Sequence, residues 1–161
     1  MRALLVRFII ALTVLAASSG VLLPAYSQDQ RSPESDRALL ASPWKGTWVS
    51  SKGYLYSANA RLRVAADFSV EGEMAWVLER SPREEDKAKL GFGGTEYVRG
   101  SYDPRARILR LEGYRKDDPN TILGLDKYHL ILADSDQVLG GITWNHGDWQ
   151  GLISLLRMPN R

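Results

Sequence analysis

Hydrophobic and polar side chains alternate with a period of two along most of the chain beyond Trp44. Residues 70–79 place valine, methionine, tryptophan and leucine on one face and glutamates on the other, which is the pattern of a strand with one buried face. Residues 61–66 alternate in the same way just before them. The connection at 67–69 is short enough to join the two runs, so the pattern predicts a β-hairpin.

Further alternating runs follow, separated by short polar turns. A turn that contains Pro104 joins the runs at 95–102 and 107–114, because proline presets the backbone for the first corner of a turn. The other runs lie at 46–50, 54–57, 122–133, 137–145 and 149–157. Eight or nine short strands joined by hairpin-length connections predict an all-β fold, an antiparallel up-and-down meander packed as a sandwich or closed as a barrel. We expect an eight-stranded barrel, since closure leaves no exposed sheet edge.

Two segments interrupt this pattern. Residues 28–43 are polar, and Ser32 and Pro33 suit the start of a short helix, because proline at the first helical position lacks only a donor that would be unpaired anyway. A flexible linker is the alternative. Residues 80–93 form one long insertion that is a loop or a helix, and its sequence matches a capping box. We favour a solvated loop, more mobile than the strands because it is charged and has few apolar anchors.

The first 27 residues have the features of a secretory signal peptide. Arg2 and Arg7 precede an uncharged apolar run at 8–23, and small residues follow at the positions that a signal peptidase recognises. The run is short for the ~20 residues that span a bilayer, so we favour cleavage before Gln28 over an uncleaved anchor. The sequence therefore predicts a signal peptide (1–27), a polar linker or short helix (28–43) and a β-barrel domain (44–161). We expect a secreted or periplasmic protein, with no membrane insertion after cleavage.

Composition narrows the function classes. The chain of 161 residues contains no cysteine, which excludes disulfides, thiolate metal sites and a cysteine nucleophile. Its 21 basic and 19 acidic side chains include two arginines in the signal segment, so the remainder is neutral. A neutral domain gives no electrostatic argument for nucleic-acid binding. The expected partners are a small-molecule ligand or a protein of the cell envelope.

The element Gly46-Thr47-Trp48 opens the first predicted strand. It resembles the start of the calycin barrels, a group that includes lipocalins, avidin-like proteins and fatty-acid-binding proteins. In that group a basic residue of the last strand lies across the tryptophan ring, and Arg157 matches its position. The resemblance implies a structural contact between Trp48 and Arg157 at the closed end of the barrel, with a cation–π contribution of roughly 0.5–2 kcal/mol.

The segments at 100–103, 109–111 and 139–142 carry a second, looser resemblance. It is to uncharacterised exported bacterial proteins with all-β domains, and it implies export and a β-rich fold without implying a reaction. No calycin ligand-binding residues match this chain, so the calycin resemblance implies no ligand.

Histidines and aspartates offer limited chemistry. His129 lies on a predicted strand and His146 in a turn; a two-histidine metal site is one interpretation, and ordinary side chains are the favoured one. The aspartates at 117–118 and 134–136 lack the full spacing of a calcium loop, so we interpret them as turn residues. No serine nucleophile, phosphate-binding loop or zinc-protease motif occurs. We therefore predict no catalytic residues, no metal, no cofactor and no enzymatic activity.

Aromatic side chains are the best candidates for recognition. Trp144, His146 and Trp149 flank one hairpin tip, and Tyr54 and Tyr56 follow the first strand. If both groups share one barrel mouth, they offer flat faces for a sugar ring or an apolar ligand. The favoured alternative is that the two tryptophans form a cross-strand pair that stabilises the hairpin.

These observations predict an exported, non-enzymatic binding protein for a small apolar or sugar-like ligand at a barrel mouth. The alternative is a structural or protein-interaction module of the cell envelope. The barrel interior distinguishes the two. A cavity lined by Met74, Trp76, Leu109 and Leu111 favours the binder, whereas an interior filled by the same side chains favours the module.

Overall fold

The alternating runs form eight strands in the computed structural model of the protein, which describes residues 32–145 and 147–159. A short helix, α1, precedes them at Pro33–Leu40. The strands are β1 (Trp44–Ser50), β2 (Leu55–Val64), β3 (Ser69–Arg80), β4 (Gly93–Asp103), β5 (Ile108–Asp117), β6 (Lys127–Leu132), β7 (Val138–Trp144) and β8 (Gln150–Arg157).

Each strand pairs antiparallel with the next in chain order, and β1 pairs with β8 to close the barrel. The prediction of an all-β, eight-stranded up-and-down barrel with a short N-terminal helix is confirmed. At the seam between β1 and β8, a Cβ atom on Gly46 would overlap the carbonyl oxygen of Ser154. Glycine at this position therefore lets the first strand approach the last closely enough to pair.

Two predicted strand boundaries differ from the structure. The run at 54–57 is part of β2 from Leu55 onwards, and the run at 122–133 becomes a strand only from Lys127. The Asp118 carboxylate accepts hydrogen bonds from the backbone N–H groups of Ile122 (2.9 Å) and Leu123 (2.8 Å). Because these bonds fold the backbone into a turn, residues 118–126 form a loop instead of extending β6.

Helix α1 packs at one end of the barrel, which we call the floor. Of the two sequence alternatives for this region, the structure contains the helix, and Ser32 caps it by accepting a hydrogen bond from the Ser35 N–H. Leu40 is fully buried, and the indole N–H of Trp44 donates to the Leu40 carbonyl (3.1 Å). The helix and the first strand thus close the floor together.

A buried ionic cluster fixes α1 to the turns of the floor. Arg107 Nη2 lies 3.1 Å from Asp36 Oδ1 on the helix and 2.6 Å from Asp136 Oδ1 in the β6–β7 turn. The hydroxyl of Tyr102 also donates to Asp36 (2.5 Å). Because Asp36 is buried, these charge-assisted bonds replace the water that its carboxylate loses.

The predicted contact between Trp48 and Arg157 is wrong in its register. The β1–β8 pairing places Arg157 opposite Trp44 and places Trp48 opposite Ile153. Four residues of extended strand separate the two positions, roughly 13 Å at 3.3 Å per residue. Trp44 is the tryptophan at the floor, and Trp48 lies further along the barrel.

The long insertion contains a short 3-10 helix at Glu84–Lys89, and its N-cap residue, Arg83, makes no side-chain capping bond. The predicted capping box therefore does not form. Instead the Ser81 hydroxyl donates to Asp86 (3.0 Å).

The region assigned to the signal peptide, residues 1–27, lies outside the described residues. Within the described part of the chain, no helix is long and apolar enough to cross a membrane.

Candidate functional site

The barrel interior is packed at the floor and hollow at the opposite end, which we call the mouth. Met74, Leu109 and Leu111 are buried in the packed part, whereas Trp76 lines a cavity of about 400 Å³. Both interiors considered from the sequence therefore occur in one barrel. The cavity is lined by Trp48, Tyr54, Tyr56, Trp76, Leu78, Arg83, Asp86, Lys89, Glu96, Thr121, Ile122, Leu123, Gly124, Asp126, Tyr128, Asn145 and Trp149.

Aromatic rings form the walls of this cavity. Trp48 occupies space that Gly151 leaves open, since a Cβ atom there would overlap the indole. Its N–H donates to the Thr143 hydroxyl (2.7 Å), which fixes the ring. Tyr56 lies edge-on to Trp48 and Trp76, with centroid separations of 5.6 and 6.3 Å. Edge-to-face packing of this kind holds aromatic side chains in defined orientations.

A carboxyl group lies among these rings. Glu96 projects inward from β4 and is only 2% exposed. Its Oε1 accepts the backbone N–H of Asp126 (2.9 Å), and its Oε2 accepts the hydroxyl of Tyr128. A Cβ atom on Gly113 would overlap this carboxyl group, so the absence of a side chain in β5 makes room for it.

Glu96 and Asp126, two acidic residues that line the cavity, both have raised pKa values. Burial raises the pKa of Glu96 to about 7, against the lowering effect of its hydrogen bonds from Tyr128 and the Asp126 N–H. Burial also raises the pKa of Asp126 to about 6. The pKa of the Tyr128 hydroxyl is raised by burial and by the negative charge of Glu96. Removal of water is the main cause in each case.

The indole N–H of Trp76 is the unsatisfied polar group of this cavity. Trp76 is 5% exposed, and its Nε1 has no hydrogen-bond partner among the described residues. It lies close enough to the Glu96 carboxyl group to lower the pKa of that group, but not in the geometry of a hydrogen bond. A buried N–H without an acceptor costs free energy, and an acceptor supplied within the cavity would remove that cost.

The mouth is held by contacts between loops. The Tyr54 hydroxyl donates to Asp86 (2.9 Å), and this bond lowers the pKa of Asp86. Tyr54 also packs against Trp149 at 5.0 Å, and Lys52 Nζ lies 4.6 Å from the centre of that ring. Deeper in, the Tyr56 hydroxyl donates to the Ile122 carbonyl (2.6 Å). Four loops are thereby tied into one rim.

The structure brings together three of the five predicted ligand-binding residues. Tyr54, Tyr56 and Trp149 line the cavity, whereas Trp144 is 37% exposed on the outer face of β7. Trp144 pairs with Gln150 across the hairpin, so its register partner is not Trp149. His146 lies outside the described residues. The role of these residues in binding stays a prediction.

The other candidate residues lie elsewhere. His129 is on the outer face of β6, where it borders a broad, shallow depression together with Trp144 and several charged side chains. Asp118 caps its own loop, and Asp134 and Asp136 contact Arg107. Within residues 32–145 and 147–159, no group of three or more acidic or histidine side chains is placed to hold a metal ion.

Sequence reasoning did not single out Glu96, Asp126 or Tyr128. One signal was available: Glu96 shares its strand face with Val98 and Tyr102, which are both buried. An acidic residue on the buried face of a strand is an exception to the usual pattern and indicates a functional position. Asp126 gave no such signal, because it lies in a loop that the periodicity assigned to a strand.

The solved structures that resemble this fold include the following two. One is the structure of a redesigned beta barrel, mFAP0, bound to DFHBI; it has a TM-score of 0.56 and 12% identity, over 74% of this chain and 99% of that chain. The other is EF1p2_mFAP2b bound to DFHBI, with a TM-score of 0.56 and 15% identity over 76% and 98% of the two chains. At these identities the likeness shows the fold alone. No protein-family model and no curated protein matches the chain.

Proposed function

We propose that this protein binds a small organic molecule in the aromatic cavity of its barrel and does not transform it chemically. The observation that carries the proposal is the buried, unpartnered N–H of Trp76 in a cavity of about 400 Å³. Cavities of roughly 300–1,000 Å³ with few polar groups among apolar walls are typical of small-molecule sites. The two similar barrels with bound DFHBI support this proposal, since they use the same architecture to hold a ligand.

The ligand class that fits best has a flat ring. Trp48, Tyr56 and Trp76 present ring faces and edges in fixed orientations, and Tyr54 and Trp149 extend the aromatic surface to the rim. Flat apolar or sugar-like rings gain contact area against such walls.

We also propose a calycin-like relationship, which the Gly46-Thr47-Trp48 element supports, and an exported location, which the apolar segment at 8–23 supports.

The experiment is a titration with N-phenyl-1-naphthylamine, a neutral fluorescent probe whose emission rises in an apolar site. We expect saturable binding with one probe per chain and quenching of the cavity tryptophans. Native mass spectrometry of protein purified from its source would in addition detect a retained molecule. Absence of saturable probe binding together with absence of a retained mass would refute the proposed function.

A matched pair of tryptophan variants localises the probe. Trp149→Ala removes a ring at the rim of the cavity, whereas Trp144→Ala removes the same ring from the outer face of the same hairpin. We expect the first variant to weaken probe binding about tenfold, by analogy with the loss of one buried aromatic contact. The second should bind like the natural protein. Equal losses in both variants would place the probe outside the cavity.

One observation favours the second candidate function, a protein-interaction module. Val49, Leu152 and Ile142 lie side by side on the outer faces of β1, β8 and β7, and all three are exposed, Leu152 by 66%. Such a row suits contact with a second copy of this chain. Sedimentation velocity tests it: self-association that Leu152→Lys abolishes would support this function, and a monomer at all concentrations would refute it.

A further inference from the structure

The inner end of the cavity contains two carboxyl groups without a basic partner. Glu96 and Asp126 line the same cavity, and the backbone N–H of Asp126 binds the Glu96 carboxylate directly. Among the described residues, neither group forms an ion pair with lysine, arginine or histidine within 4.0 Å, whereas Arg107 lies 3.1 Å from Asp36 and Lys116 lies 3.2 Å from Asp118. Buried carboxylates are ordinarily paired with a cation or kept protonated.

The surroundings of these carboxyl groups suit a cation. Three electron-rich rings, Tyr56, Trp76 and Tyr128, line the cavity near them. The face of an aromatic ring attracts an ammonium group, and this attraction grows when water is excluded. The cavity therefore combines negative side chains with aromatic faces, the two features that stabilise an organic cation in a protein interior.

The basic side chains of the cavity lie at the rim. Arg83 is exposed, and Lys89 Nζ lies 3.9 Å from the carboxylate of Asp86, to which Tyr54 also donates. These groups belong to the long β3–β4 insertion and do not reach the inner carboxyl groups. An anionic ligand that entered fully would therefore meet the repulsion of Glu96 and Asp126 without a compensating cation.

We propose that the ligand of this cavity is a small arylalkylamine, an aromatic ring that carries an aliphatic amine, whose ammonium group lies against Glu96 and Asp126 and whose polar ring substituent accepts the N–H of Trp76. The inference rests on the proposed function and adds the charge and polarity of the ligand. The ammonium group supplies the missing partner of the two carboxylates, and the ring substituent satisfies the unpartnered indole.

Four related probes test the proposal. Tyramine has a ring, a hydroxyl and an ammonium group; 4-ethylphenol lacks the amine, phenethylamine lacks the hydroxyl, and 4-hydroxyphenylacetate is an anion. Calorimetric titrations at about pH 8 keep both carboxyl groups ionised and the amine protonated. We expect tyramine to bind at least about tenfold more tightly than 4-ethylphenol and 4-hydroxyphenylacetate. Its hydroxyl should add a smaller preference over phenethylamine.

Variants assign each preference to its residue. Glu96→Gln and Asp126→Asn should each reduce the preference for tyramine over 4-ethylphenol to about threefold or less, with 4-ethylphenol binding retained. Two variants are needed, because either one alone can disturb folding. Trp76→Phe should remove the preference for tyramine over phenethylamine. Glu85→Gln is the matched control, since Glu85 is exposed on the 3-10 helix of the insertion, and it should leave every preference unchanged.

The outcomes separate this inference from the proposed function. If 4-ethylphenol or the anion binds as tightly as tyramine, or if both carboxyl variants keep the full preference, the ligand is not a cation and the inference is wrong. Binding of the neutral naphthylamine probe would still support the cavity as a site in that case. If neither the naphthylamine nor any of the four probes binds, and the protein purified from its source retains no molecule, the proposed function fails as well.

Discussion

The buried carboxyl group of Glu96 predicts an unusual dependence of stability on pH. In the unfolded chain this group titrates near its ordinary pKa of 4.5, whereas in the folded barrel its pKa is about 7. Below the lower value both states hold the proton, and its stabilising effect is complete. As the pH rises towards 7, the unfolded chain loses a proton that the folded protein retains, so the free energy of unfolding falls. Above 7 both states are ionised and the fall ends.

The magnitude follows from the separation of the two pKa values. Each unit corresponds to about 1.36 kcal/mol, so the shift of Glu96 from 4.5 to about 7 removes roughly 3 kcal/mol between those limits. Asp126 acts in the same direction, from 3.8 to about 6. Asp86 and Asp118 have lowered pKa values, and their contribution is lost only in stronger acid. For a domain of this size, 3 kcal/mol is on the order of 10 °C in Tm.

The assay is urea unfolding at several pH values between about 4 and 8, the range that contains the pKa of Glu96 in the unfolded chain and the pKa values of Glu96 and Asp126 in the folded protein. Glu96→Gln keeps the size of the side chain and stays neutral throughout. Its free energy of unfolding should fall with pH by roughly 3 kcal/mol less than that of the natural protein. Glu85→Gln should follow the natural protein, because Glu85 is exposed. Parallel curves for the natural protein and Glu96→Gln would refute the reasoning, as would stability that rises with pH in this range.

Three further predictions concern the floor, the cavity wall and processing. Arg107→Ala leaves the buried carboxylate of Asp36 unpaired and should cost about 3–5 kcal/mol in chemical unfolding; a loss below 1 kcal/mol would contradict a role in holding α1. Gly151→Ala pushes the Trp48 indole from its position, so it should cost about 1–3 kcal/mol and weaken naphthylamine binding, and unchanged binding would show that the cavity tolerates the shift. N-terminal sequencing of exported protein should begin at Gln28, and recovery of Met1 in a membrane fraction would reject cleavage.

The sequence predicts local structure well where neighbouring residues determine it. The alternation at 70–79 reappears in β3, whose apolar side chains face the interior. Ser32 and Pro33 likewise begin α1 as their residue types suggest. These features depend on contacts within a few positions of the chain, or on the need of a strand to bury one face.

Features that depend on distant pairing were not predictable in this way. Which tryptophan lies opposite Arg157 is set by the register of β1 against β8, and the correct residue is Trp44. The contact of Glu96 with Tyr128 and the Asp126 backbone requires β4, β6 and the β5–β6 loop in their correct relative positions. A shift of two residues in any pairing would leave the periodicity unchanged and would dismantle this site.

The up-and-down order of the strands divides the connections of the barrel into two sets. Every loop residue that lines the cavity belongs to the first, third, fifth or seventh connection, at 51–54, 81–92, 118–126 and 145–149. The second, fourth and sixth connections turn at the opposite end, where α1 and Arg107 pack. Substitutions that alter the choice of ligand and substitutions that alter folding therefore fall in separate segments of the sequence. A library that varies only the four mouth loops should yield barrels with new ligands and an unaltered floor.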